Sequence, residues 1–151
     1  MTTSNTTYTI ITDFLAYLLD ERHFSPYTAR CYGVDLRQFT DFLTDDCGIS
    51  FDEHAEQQCW SSAQNAHRAD IVGSVAPATI TSTILAIDVA RIRGFLAHLA
   101  ESNYSAATMA RKIATLRSFH KWLESRGTIS SNPMVLTRTP KQAKRLPKAI
   151  S

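Results

Sequence analysis

Tyr104-Ser-Ala-Ala-Thr-Met-Ala-Arg-Lys-Ile-Ala-Thr-Leu-Arg-Ser-Phe-His-Lys-Trp-Leu123 is the stretch on which the fold turns. It carries four cations and meets no acid before Glu124. Ser105 stands where a hydroxyl can accept an orphan N–H of a helix start. At about 100° per residue, Met109, Ile113, Leu116, Phe119, His120 and Leu123 fall on one face. Arg111 lies opposite, Lys112 on one flank, Arg117 and Lys121 on the other. The spacing predicts a helix from Ala106 to about Arg126, closed by Gly127, with a buried stripe separate from a cationic surface.

A quieter copy of this pattern precedes it. Phe14-Leu-Ala-Tyr-Leu18 matches Phe95-Leu-Ala-His-Leu99, and Ser25-x-x-Thr28 matches Ser105-x-x-Thr108. Leu36-Arg37-x-Phe39-x-x-Phe42-Leu43 matches Leu116-Arg117-x-Phe119-x-x-Trp122-Leu123. The offset is 81 in the first block and 80 in the others. Helix one reads from Tyr8 to Arg22 on Ile11, Phe14, Leu15 and Leu18. Ser25-Pro26 then starts helix two with a cap and a proline at the first helical position. Tyr32, Leu36, Phe39 and Leu43 are its core stripe, to about Asp45. Gly33 inside it costs roughly 1 kcal/mol against alanine, which points to a close approach at that backbone. Helix three reads from Thr83 to Glu101 on Leu85, Ile92, Phe95, Leu96 and Leu99.

The expected fold is therefore all-α, a four-helix bundle of two crossed helical hairpins spanning residues 1–136. A long loop over residues 47–82 separates the hairpins, with a short helix near Asp52–Ala66. Residues 137–151 hold five cations, two prolines and no acid, and read as an extended basic linker.

Composition narrows the class. The 151 residues have ordinary apolar content and few glycines and prolines, enough for one core without staples. Cys31, Cys47 and Cys59 are odd in number and scattered, as in reduced intracellular proteins. No signal peptide is visible, and Asp88, Arg91 and Arg93 interrupt the most apolar span, so no membrane helix is expected. The net charge of +2 conceals a division. Residues 1–103 hold six of the 16 basic and 13 of the 14 acidic residues, a net of −7, while residues 104–151 hold the rest, a net of +9. A segregated cationic block suits a polyanion.

Catalytic signatures are missing: there is no glycine-rich phosphate loop, His-Glu-x-x-His or nucleophile elbow. Cys47, His54, Cys59 and His67 lack the paired spacing of structural zinc. Neither metal nor cofactor is expected, and Asp45, Asp46, Asp52, Glu53 and Glu56 read as a solvated acidic patch. What remains is two helix starts, Ser25 with Thr28 and Ser105 with Thr108, whose free N–H groups and dipoles attract phosphate. Arg30 and Arg37 on one helix, with Arg111, Lys112, Arg117 and Lys121 on the other, are placed to reach backbone or base edges. Lys141, Lys144 and Arg145 of the linker extend the set. A helical module for an acidic protein partner has the same features, and salt-sensitive binding to duplex DNA separates the two. No helix-turn-helix with a tight turn is present.

Phe14-Leu-x-Tyr-Leu-x-x-Glu-Arg22, Ser25-x-x-Thr-x-x-x-Tyr32, Asp35-Leu-x-x-Phe39, Tyr104-Ser-x-x-Thr-x-x-Arg-Lys-Ile-x-x-Leu-Arg-x-Phe119 and Asn132-Pro133 together resemble the N-terminal core-binding domain of Xer-type tyrosine recombinases, the phage-integrase family. Pro140-Lys141 and Leu146-Pro147-Lys148 resemble the family's linker to its catalytic domain. The resemblance implies a SAM-like bundle that clamps double-stranded DNA at a recombination site. It implies Thr28, Arg30, Arg37, Arg111, Lys112 and Arg117 as DNA contacts, other recombinase subunits as partners in a synaptic complex, and a cytoplasmic, nucleoid-associated location. The family's catalytic residues belong to a following domain, so this chain alone is expected to bind and not to cleave.

Overall fold

Serine capping sets both hairpins. In the computed structural model, which describes residues 8–65 and 78–136, six α-helices and one 3-10 turn form and no strand is present among those residues. They are α1 (Thr9–Asp20), α2 (Pro26–Cys47), α3 (Glu53–Asn65), α4 (Ile80–Leu85), α5 (Val89–Ala100), α6 (Ala106–Ser125) and the turn Pro133–Leu136. The expected linker, with Lys141, Lys144 and Arg145, lies outside the described residues.

The four expected helices are α1, α2, α5 and α6, and the repeat is visible in their geometry. Ser25 (φ −69°, ψ 154°) accepts the Thr28 N–H, and Ser105 (φ −66°, ψ 161°) accepts the Thr108 N–H. Two residues before each serine, the chain passes through the left-handed region, at His23 (φ 55°) and Asn103 (φ 58°). The core phenylalanines pair reciprocally. Phe14 meets Phe119 at 5.3 Å between ring centroids, and Phe39 meets Phe95 at 5.0 Å. Since Phe14 corresponds to Phe95 and Phe39 to Phe119, the hairpins cross as two units related by an approximate two-fold.

Gly33 explains itself at this level. A Cβ there would lie 3.2 Å from Leu15 Cδ1, so the glycine lets α1 and α2 approach closely. Gly127 (φ 78°) closes α6: its N–H reaches Glu124 O and the Thr128 N–H reaches Leu123 O at 3.1 Å, the two bonds of a Schellman motif.

The short helix expected near Asp52–Ala66 forms as α3 and docks on the bundle, and two other expectations need correction. Trp60 is 1% exposed, its Nε1 donates to Asp13 Oδ2 at 2.6 Å, and its ring lies 5.8 Å from Trp122. Helix three is two helices: Asp88 accepts the Arg91 N–H and starts α5 afresh, while α4 has its own Thr79–Ser82 capping box. Glu56 is not part of a solvated patch. It is 1% exposed and accepts the Ile80 and Thr81 N–H groups, both at 2.8 Å, and the Thr81 hydroxyl at 2.6 Å. A carboxylate from α3 thus satisfies the orphan donors and dipole of α4.

Candidate nucleic-acid interface

The outer surface of α2 divides by charge. Arg30 and Arg37 are exposed in its first two thirds, and Asp41, Asp45 and Asp46 are exposed beyond them. Asp46 is paired with Arg91 of α5. The cationic part of α2 thus adjoins the Ser25 helix start. On α6, Arg111, Arg117 and Lys121 are exposed. Arg37 and Arg117 occupy equivalent repeat positions, so both hairpins present an arginine at the same place.

Each helix start holds ready donors. The Ser25 hydroxyl donates to Thr28 Oγ1 at 2.9 Å, and that of Ser105 donates to Thr108 Oγ1 at 3.0 Å. Each threonine oxygen is thus an acceptor in this pair, which leaves its own hydrogen for an outside oxygen. Pro26 has no N–H, so Tyr27 supplies the uncapped donor of α2, whereas Ala106 and Ala107 supply two on α6. Tyr27 and Val34, 69% and 59% exposed, lie among the α2 arginines.

Lys112 departs from the sequence expectation. The flank it occupies faces α2, and the residue is 6% exposed rather than open to solvent. Its Nζ donates to Asp35 Oδ1 at 2.9 Å and stands 5.0 Å above the Tyr104 ring. Arg111 Nη2 donates to the same oxygen at 2.8 Å, and Thr115 Oγ1 donates to Oδ2 at 2.9 Å. Asp35 holds the Arg111 guanidinium above its usual pKa. Of the two cations only Arg111, with its side chain 49% exposed, still reaches solvent. Gln38 Nε2 donates to the Tyr104 hydroxyl at 2.9 Å, which adds a rim to the same junction.

Sequence reasoning missed Asp35, Gln38 and Tyr104 as organising groups. Asp35 could have been suspected, since a charged residue beside Leu36 falls at the edge of the α2 core stripe and demands a partner. Among the described residues, no group of three or more His, Cys, Asp or Glu is arranged to hold a metal, and no helix is long and apolar enough to cross a membrane.

The described residues form an all-helical bundle of two capped hairpins, with exposed cations on the outer surfaces of α2 and α6. The model of the phage integrase, N-terminal SAM-like domain matches residues 11–82 and 75–127, and the chain belongs to that family. It is 32% identical to the tyrosine recombinase XerC of Halalkalibacterium halodurans over 91% of this chain and 34% of that protein. It is 32% identical to the tyrosine recombinase XerD of Listeria monocytogenes over 94% of this chain and 37% of that one. It is also 33% identical to a XerC of Rhizobium meliloti, covering 91% and 35%. The chain therefore spans about a third of the length of the curated relatives it matches. No solved structure matches it significantly.

Proposed function

We propose that this chain is the DNA-clamping part of a site-specific tyrosine recombinase. It holds duplex DNA at a recombination site against α2 as far as Arg37 and α6 as far as Lys121, for a catalytic domain elsewhere to cut and rejoin, in a complex with other recombinase subunits. The observation that carries this reading is the matched pair of serine-capped helix starts, each followed by exposed arginines. Ser25, Thr28, Ser105 and Thr108 take phosphate oxygens, and Arg30, Arg37, Arg111, Arg117 and Lys121 take phosphates or base edges. Lys112 serves from beneath, through Asp35, and Lys141, Lys144 and Arg145 lengthen the contact along the duplex. No bond-breaking group is assigned to this chain.

The binding is electrostatic at heart, since cations on the protein release counterions condensed on DNA. With about five to eight phosphates neutralised, log K against log salt is expected to fall with a slope of about −4 to −7. A mobility-shift series on duplex DNA across salt concentrations tests this. Salt-independent binding, or none at low salt where an acidic protein still binds, makes the chain a protein-interaction module instead.

A further inference from the structure

Asp35 is a carboxylate inside a DNA-facing junction, where a negative charge works against a polyanion. It is 4% exposed, and its oxygens receive Arg111, Lys112 and Thr115, all from α6. Its equivalent in the other hairpin is Thr115, the residue that donates to it, so the group lies where the hairpins cross. Buried charge survives only when paired and hydrogen-bonded, and Lys112, with its side chain 8% exposed, supplies the pairing. The junction holds two cations against one anion, and the uncompensated charge sits on Arg111.

We propose that Asp35 is a positioning residue for Arg111. This rests on the reading that the α2–α6 face holds duplex DNA. The buried Asp35–Lys112 pair is a fixed anchor, and Arg111 is tied to it by Nη2 alone. The remaining guanidinium N–H groups then point outward in a set direction toward a phosphate. A free arginine spreads over many rotamers and loses that freedom on binding, whereas an anchored one has lost it already. Lys112 cancels the charge of Asp35, so the anchor does not weaken the field that the DNA meets.

The double substitution Asp35→Asn with Lys112→Met removes the anchor and leaves net charge unchanged. Affinity for one mixed-sequence DNA duplex at fixed salt is measured for the parent, Arg111→Ala, the double variant and the triple. Arg111→Ala is expected to weaken binding about tenfold. The double variant is expected to lose nearly as much despite its unchanged charge, and adding Arg111→Ala to it to change affinity less than about twofold. A double variant that binds like the parent, or an Arg111→Ala loss equally large in both backgrounds, overturns the proposal. If the double variant does not fold, NMR of the parent decides: the Arg111 guanidinium is ordered without DNA, and an Arg111 as mobile as Arg30 overturns the anchor. A parent that shows no salt-dependent duplex binding overturns the interface itself, an outcome separable from these because an ordered Arg111 does not depend on it.

Discussion

Replacing His120 by phenylalanine is expected to flatten the acid side of the stability curve. His120 is fully buried on α6, between Phe39 and Phe119, with ring centroids at 6.2 and 5.4 Å. Its Nδ1 bonds the Leu116 carbonyl at 2.9 Å, and Nε2 has no hydrogen-bond partner. A carbonyl only accepts, so Nδ1 carries the hydrogen and Nε2 is a bare acceptor. A second proton would be a buried charge with nothing opposite it. Burial accordingly lowers the pKa from 6.5 to about 4. Because the folded value is depressed, the unfolded chain takes up the proton first. The stability is complete above the unfolded value and is lost as pH falls from 6.5 toward 4. At about 1.4 kcal/mol per pH unit, the loss between pH 7 and pH 5 is about 2 kcal/mol. Urea denaturation of parent and His120→Phe at both pH values reads it, with the m-value as a check that the unfolded state is unchanged. The variant is expected to lose about 2 kcal/mol less than the parent over that interval. Equal losses would refute the placement of a neutral, unpartnered imidazole in the core.

Other outcomes follow from single groups. Asp35→Ala leaves the Lys112 ammonium buried without its anion and is expected to cost about 3–5 kcal/mol in urea denaturation, whereas Arg111→Ala, at a half-exposed site, costs well under 1 kcal/mol. Glu56→Ala orphans the Ile80 and Thr81 amides and is expected to cost about 3 kcal/mol, with faster hydrogen exchange first in α4. Gly127→Ala forces a β-carbon into the left-handed region and costs about 1 kcal/mol in thermal unfolding.

The hairpins were legible because their signals are local. A serine cap with its threonine three residues on, Pro26 at the first helical position, Gly127 past the end and the apolar stripes each lie within a few turns of what they specify. Repetition at an offset of 80 to 81 residues then carried the pairing of hairpins, because two copies of one unit have a simple way to share a core. The α4–α5 break was also written locally, in Asp88 ahead of an apolar run, and the hydrophobic stripe of Leu85 to Leu99 masked it.

What was not legible depends on partners far away in the chain. Lys112 finds its anion 77 residues earlier, Glu56 its donors 24 and 25 residues later, and Trp60 its acceptor 47 residues earlier. A helical wheel places Lys112 on a flank but does not say that α2 covers that flank. Composition alone makes Glu56 resemble its exposed neighbour Glu53. In both cases a charged residue is buried because a specific counterpart meets it, and that meeting is a property of packing and not of pattern. One of two adjacent cations is thus committed to the core and the other is left open to solvent.

Amide NMR of the chain titrated with a DNA duplex, at low and at moderate salt, tests whether α2 as far as Arg37 and α6 as far as Lys121 form one surface for duplex DNA. Shifts are expected to be concentrated at Ser25–Arg37 and Ser105–Lys121, diminishing together as salt rises, with α3 and α4 unmoved. Shifts centred on α3 and α4, or a pattern that leaves both helix starts untouched, would contradict it.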